Sequence, residues 1–213
     1  NINTTGQVNL DNADIKNTLR GGAEGKIGDI NINANSLNLI NASAIVTSTF
    51  GKGDAGNINL KTTGDIIISG IRPQFTRLIT KDSERSDISS GTDGTGNAGE
   101  ITIDTQNRGN LTLLNGARIT SKIEKNAIGN GGDIQILARE IDLKNNSLIS
   151  SSNVGGKGNA GNIDLKTIGD IRISDSTPSR FINSFLGDKF YLISSAIFSS
   201  VGGRGNAGNI TID

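Results

Sequence analysis

The chain has 213 residues, of which 29 are Gly, six Phe and one Tyr, with no Cys, His, Met or Trp. That inventory excludes disulfides, thiolate and imidazole catalysis, zinc fingers, iron–sulfur clusters and His-based metal sites, leaving carboxylates, hydroxyls, Lys and Arg for any chemistry. Basic and acidic residues balance at 21 each, so charge favours neither nucleic acid nor an anionic membrane as partner, and no apolar run reaches the roughly 18 residues of a membrane span.

In chain order, each period opens with Gly, a polar residue and Ile-x-Ile or Ile-x-Leu. The Gly positions are 28, 56, 99, 132, 161 and 208, so successive copies lie 28, 43, 33, 29 and 47 residues apart. Their leading isoleucines are Ile30, Ile58, Ile101, Ile134, Ile163 and Ile210, and Asn1-Ile2-Asn3 fits the same phrase with its Gly just upstream. The opening is no charged-then-apolar leader, so an export signal is expected outside this stretch.

A second alternating segment follows in each period, with apolar pairs Val8/Leu10, Leu37/Leu39, Ile66/Ile68, Leu111/Leu113, Ile141/Leu143 and Ile171/Ile173. A turn former comes two positions later: Asn12, Asn41, Gly70, Asn115, Asn145 or Asp175. A third segment carries one Ile and then hydroxyls, at Ile45, Ile88, Ile119, Ile149 and Ile197, with Ile15 in a shortened version. Loops of the form Gly-x-Gly-x-Ala-Gly close four periods, beginning at Gly51, Gly94, Gly156 and Gly203.

Short segments of period two, separated by Gly, Asn and Asp, predict strands, and the Gly and β-branched content opposes helix. Three strands per period, stacked like on like, predict an all-β parallel β-helix: a single solenoid over 1–213, of six to seven coils. The near-identity of 51–69 with 156–174 marks two tandem three-coil units, about 1–103 and 104–213. The long spacings mark insertions at 71–87 and 176–195.

This register lines the interior with the apolar pairs and the lone Ile of the third strand. It also turns Thr47, Ser90, Ser121, Ser151 and Ser199 inward, where each hydroxyl needs a partner because an unpaired buried one costs roughly 1–3 kcal/mol. Asn41, Asn115 and Asn145 are expected to form a ladder whose amides bond along the axis.

The Gly-rich loops lack the Lys-Ser/Thr pair and helix of a phosphate-binding loop, and one Asp or Asn per loop falls short of a calcium site. They read as turns, and no metal or cofactor site is expected. The run Lys81-Asp82-Ser83-Glu84-Arg85-Ser86-Asp87 has the mixed signs of a solvated loop, and no acids or arginines from adjacent coils are expected to converge. The insertions hold both prolines and most of the aromatic residues. Within them Arg72, Phe75, Arg77, Arg180, Phe190 and Tyr191 are the candidate ligand contacts, since binding residues concentrate on loops and these residue types make hot spots.

Two motifs alternate along the chain, GRGNAGNITI at 203–212 and LTLLNGARITS at 111–121. In combination they resemble the repeat region of filamentous-haemagglutinin-like exoproteins of two-partner secretion systems. The resemblance implies a right-handed coil and export through an outer-membrane β-barrel transporter. It further implies display on, or shedding from, a Gram-negative cell, with adhesion to host or neighbour-cell glycans or proteins rather than catalysis. The alternatives are a β-helical polysaccharide lyase or glycosidase and a purely architectural surface-layer component. Replacing Phe190 and Tyr191 together by Ser is expected to weaken cell or glycan binding while leaving the circular-dichroism spectrum unchanged.

Overall fold

The computed structural model describes residues 1–70, 85–175, 179–182 and 190–213, and of 179–182 and 190–193 the backbone alone. Among these residues there is no helix, and three parallel sheets run the length of a solenoid. The first sheet stacks Ile2–Asn3, Ile30–Ala34, Ile58–Thr62, Ile101–Asp104, Ile134–Ala138, Ile163–Thr167 and Ile210–Ile212. The second stacks Gln7–Asp11, Ser36–Ile40, Ile66–Ser69, Leu111–Leu114, Ile141–Lys144 and Ile171–Ser174. The third stacks Asp14–Leu19, Ala44–Thr49, Asp87–Thr92, Arg118–Ile123, Leu148–Asn153 and Ala196–Val201.

The registers put like residue over like. Ile30, Ile58, Ile101, Ile134, Ile163 and Ile210 form one continuous column. Ile15, Ile45, Ile88, Ile119, Ile149 and Ile197 form another on the third sheet. With the Leu/Ile pairs of the second sheet they fill a narrow interior in which most of these side chains are wholly buried. Each buried Ile or Leu contributes roughly 1.5–3 kcal/mol, so stability accumulates coil by coil.

The structure changes three details of this pattern. Ile2 pairs with Ile32 rather than Ile30, so Asn1-Ile2-Asn3 is the second half of the opening phrase, not its start. The third strand is not shortened at Ile15: Asp14–Leu19 has six residues, like its neighbours. Nor is its Ile alone, because the strand runs two residues further and brings Leu19, Thr49, Thr92, Ile123, Asn153 and Val201 into one register. Ile123 is completely buried there.

The inward hydroxyls have a common partner. Ser90, Ser121, Ser151 and Ser199 each accept the N–H of the last Gly of the following loop (Gly99, Gly132, Gly161, Gly208) at 2.7–2.8 Å. Thr47 departs from this. Its hydroxyl, with those of Thr49 and Thr92, is buried without a hydrogen-bond partner among the described residues.

The Gly-rich loops are more than turns. Isolated bridges link Glu24, Lys52, Thr95, Ile128, Lys157 and Arg204 in sequence along the axis, a fourth extended stretch in each coil. A Cβ built on Gly99 would run into the Gly56 carbonyl, and one on Gly96, at φ 147°, into the Gly53 carbonyl. Glycine is required here because backbone stacks directly on backbone. Side chains in these loops supply a further ladder. The N–H of Asn97 is accepted by Asp54 Oδ1, that of Asn130 by Asn97, that of Asn159 by Asn130 and that of Asn206 by Asn159, all at 2.7–2.9 Å.

Gly99→Ala is expected to lower the thermal unfolding midpoint by the equivalent of about 3 kcal/mol, the upper end of overpacking costs. Gly6→Ala, where the added methyl meets only Thr4 Oγ1 at 3.5 Å, should leave the midpoint unchanged by circular dichroism.

Candidate functional site

The corner between the second and third sheets flanks the stretches that hold the candidate contacts. Its short form places two residues in the left-handed region: Asn41 and Ala42 at φ 55° and 65°, Asn115 and Gly116 at 57° and 79°, Asn145 and Asn146 at 56° and 67°. Asn and Gly tolerate that conformation better than other residues, and in two of the three turns a buried Ser follows and ties it down, Ala117 standing in its place after Gly116. Ser43 Oγ donates to the Ile40 carbonyl at 2.6 Å and Ser147 Oγ to the Lys144 carbonyl at 2.7 Å. Ser Oγ atoms at this position also accept N–H groups of adjacent coils: the Ala13 N–H donates to Ser43 Oγ at 3.2 Å, the Ser43 N–H to Ser86 Oγ at 3.3 Å and the Ser147 N–H to Ser195 Oγ at 3.1 Å.

Both insertions leave at this corner, and each is closed by a buried Ser hydroxyl, on a backbone carbonyl in the first and on a carboxylate in the second. Ser86 Oγ donates to the Ser69 carbonyl at 2.7 Å across 17 residues. Ser195 Oγ donates to Asp175 Oδ1 at 2.7 Å across 20. Ser86 with Asp87, and likewise Ser195, therefore belong to the coil rather than to the stretches 71–87 and 176–195 read as insertions. Burial raises the Asp175 carboxyl's pKa. Hydrogen bonds from the Asn146 N–H, the Ser195 hydroxyl and N–H, and the Asn145 N–H outweigh that and hold it below the ordinary Asp value.

Of the six candidate contacts, Arg72, Phe75 and Arg77 lie outside the described residues. Arg180, Phe190 and Tyr191 lie on an antiparallel ribbon, Ser179–Ile182 against Phe190–Ile193. Its register sets Arg180 opposite Leu192, Phe181 opposite Tyr191 and Ile182 opposite Phe190. Successive strand positions alternate between faces, so Arg180 and Phe190 share one face and Tyr191 belongs to the other.

Asn41, Asn115 and Asn145 each donate an amide to an earlier coil. Asn41 reaches Asp11 Oδ1 at 2.7 Å, Asn115 reaches Ser69 Oγ at 3.1 Å, and only Asn145 reaches another Asn, Asn115 Oδ1 at 3.4 Å. A continuous Asn ladder lies instead on the outer face of the first sheet, where Asn59 donates to Asn31 and Asn31 to Asn1, both at 2.8 Å.

Acids and arginines do converge, on the outer face of the second sheet. Arg172 meets Glu140 at 2.9 Å, Asp142 at 4.0 Å and also Asp170, while Arg139 reaches Glu140 at 3.1 Å. The sequence hides this because Glu140 and Arg172 are 32 residues apart and adjoin only through the stack of Ile141 on Ile171. The Arg172 hydrogen bond, against some desolvation and with the Arg172 and Arg139 charges, holds Glu140 below the ordinary carboxyl range. A carboxylate held ionised in this way is a poor general acid. Among the described residues no group of three or more acidic side chains is arranged to hold a metal ion.

A groove of about 660 Å³ lies over the outer face of the third sheet. Its lining includes Phe50, Ser89, Thr120, Lys122, Ser150 and Phe198. Phe50 and Phe198 are 49% and 38% exposed, whereas Ser150 on the floor is only 3% exposed. The insertions adjoin this face at Asp87 and Ala196. Neither Phe is among the candidate contacts read from sequence, although the period-two register of the third segment turns Phe198 outward with Val46, Ser89, Thr120 and Ser150. The available signal was a large apolar residue at a position the period turns outward.

No family model, curated protein or solved structure matches the chain.

The Asp175 anchor predicts a pH dependence. Its folded pKa is depressed, so its contribution is present above the unfolded value of about 4 and is lost as pH falls through the lower folded value. Thermal midpoints measured from neutral pH to about pH 2 should show wild type above Asp175→Asn near neutrality, with the gap closing at the acid end.

Proposed function

We propose that the chain is a non-catalytic, rod-forming segment of a secreted, surface-displayed exoprotein, serving as spacer and adhesive surface. The observation that carries this reading is the in-register stack of backbone, hydroxyl and Asx ladders with both insertions leaving at one corner. Such a stack resists bending and carries its variable loops three coils apart, about 14 Å at the inter-strand spacing, on a single side. Several weak contacts presented along a shaft combine into firm attachment when they engage together. The resemblance to filamentous-haemagglutinin-like repeats supports export through an outer-membrane β-barrel transporter and an extracellular location.

A carbohydrate-acting enzyme is the second reading, favoured by the Glu140, Asp142, Asp170 and Arg172 cluster. Against it, each of these carboxylates lies in an ion-pair network on an exposed face, and Glu140 is held ionised. A purely architectural component differs from the adhesive reading only in binding nothing.

The test is a loop-replacement variant in which residues 70–85 give way to the two-residue Asn-Gly turn of 115–116, keeping Ser86. Its circular dichroism and thermal midpoint should match wild type, and attachment to cells or glycan-coated surfaces should fall several-fold. Undiminished attachment in a folded variant would remove the first insertion from the adhesive surface, and no attachment by wild type would leave only the architectural role.

A further inference from the structure

We propose that the groove over the third sheet binds an extended, uncharged, hydroxyl-rich glycan strand, held near its two ends by Phe50 and Phe198. The proposal deepens the adhesive reading and rests on it.

Four observations converge. The chain has only seven aromatic residues, and two of them stand exposed on the outer face of this one sheet, where they contribute nothing to the core. Exposed aromatic faces are what sugar rings stack upon, and they occur here at opposite ends of one concavity. The strands of Phe50 and Phe198 are separated by four coil steps, about 19 Å along the axis, long enough for several sugar rings.

The floor between them presents the hydroxyls of Ser48, Ser89, Thr120 and Ser200, with Ser150 and Ser152 buried beneath it. Hydroxyls both donate and accept, which suits a ligand whose own groups are hydroxyls. Each coil from Ala44–Thr49 to Ala196–Val201 turns at least one hydroxyl outward, beside Val46, Gly91, Lys122 or Phe198 at the other outward position.

Charge selects against other polymers. Arg85, Arg118 and Lys122 face Asp87, Asp93 and Glu124 in the same groove, and Lys122 already pairs with Glu124 at 2.8 Å. The balance gives a polyanion no net attraction. A peptide strand would need a free sheet edge to add to, and the groove lies on a face.

The experiment uses the full chain and titrates cellohexaose, laminarihexaose and a heparin hexasaccharide by calorimetry, alongside sedimentation to detect self-association. The expected result is binding of a neutral hexasaccharide, at least ten-fold weaker in Phe50→Ala and in Phe198→Ala, with circular dichroism unchanged. Thr120→Arg, which fills the middle of the groove without touching either aromatic residue, should also weaken it and guards against misfolding of the first two variants. Several results overturn the proposal: no binding of either neutral sugar at millimolar concentration, equal binding by all variants, binding of the heparin fragment alone, or self-association that Phe50→Ala abolishes. Cell attachment separates this idea from the broader one. Attachment that survives all three substitutions refutes the groove and spares the adhesive reading. Sugar binding that the substitutions weaken, in a chain that attaches to no surface, refutes the adhesive reading and supports the groove.

Discussion

Everything in this molecule depends on one constraint: each coil lies on the next at the inter-strand distance of about 4.8 Å, in register, so that every position faces its own equivalent. A repeat sequence is the natural solution to that constraint, because a residue that stacks well on itself solves the problem for every coil at once. Ile on Ile lines the shaft with buried side chains. Gly on Gly lets the loop backbones approach where even a methyl group would collide. Asn on Asn, or Asn on Asp, satisfies an exposed N–H with the side chain beneath it.

The polar ladders explain how so narrow a rod tolerates so little apolar content. A shaft this thin cannot bury its corners, and each corner leaves backbone groups outside the three sheets. These groups are taken up by side chains, from the adjacent coil in the case of Ser Oγ at the second corner and Asx oxygens along the loop, and from the same coil in the case of the inward Ser Oγ beneath the loop glycines. The network is relaxed where Thr47, Thr49 and Thr92 stand buried without partners among the described residues. These three lie on adjacent strands of the third sheet, the sheet whose outer face carries the groove.

The same economy accounts for the insertions. The corner hydrogen bond between a strand-end carbonyl and a buried Ser spans three residues in the plain coils. Stretched over 17 residues between Ser69 and Ser86, it leaves the strands on either side in unbroken register. A solenoid built this way acquires loops without rebuilding its core. The groove is the complementary surface, formed by the coils themselves. The Glu140–Arg172 network on the second sheet is a solvated ion-pair cluster of the kind that contributes little stability singly.

The all-β class, the three strands per coil, the registers of the isoleucine columns and the inward serines were legible in the sequence, because period two and a fixed repeat length leave only one way to stack. What the sequence could not supply were relations between residues a full coil apart whose identities do not repeat. Glu140 with Arg172, the groove between Phe50 and Phe198, and the partner of Ser195 at Asp175 all belong to this kind. The Asn column shows both sides: Asn145 rests on Asn115, yet Asn41 and Asn115 find Asp11 and Ser69, since a non-repeating neighbour stands where the column has a gap. Periodicity thus determined the shaft, because burial and stacking act identically in every coil, and the folded structure alone decided the surface, because there each contact depends on which particular residues the winding brings side by side.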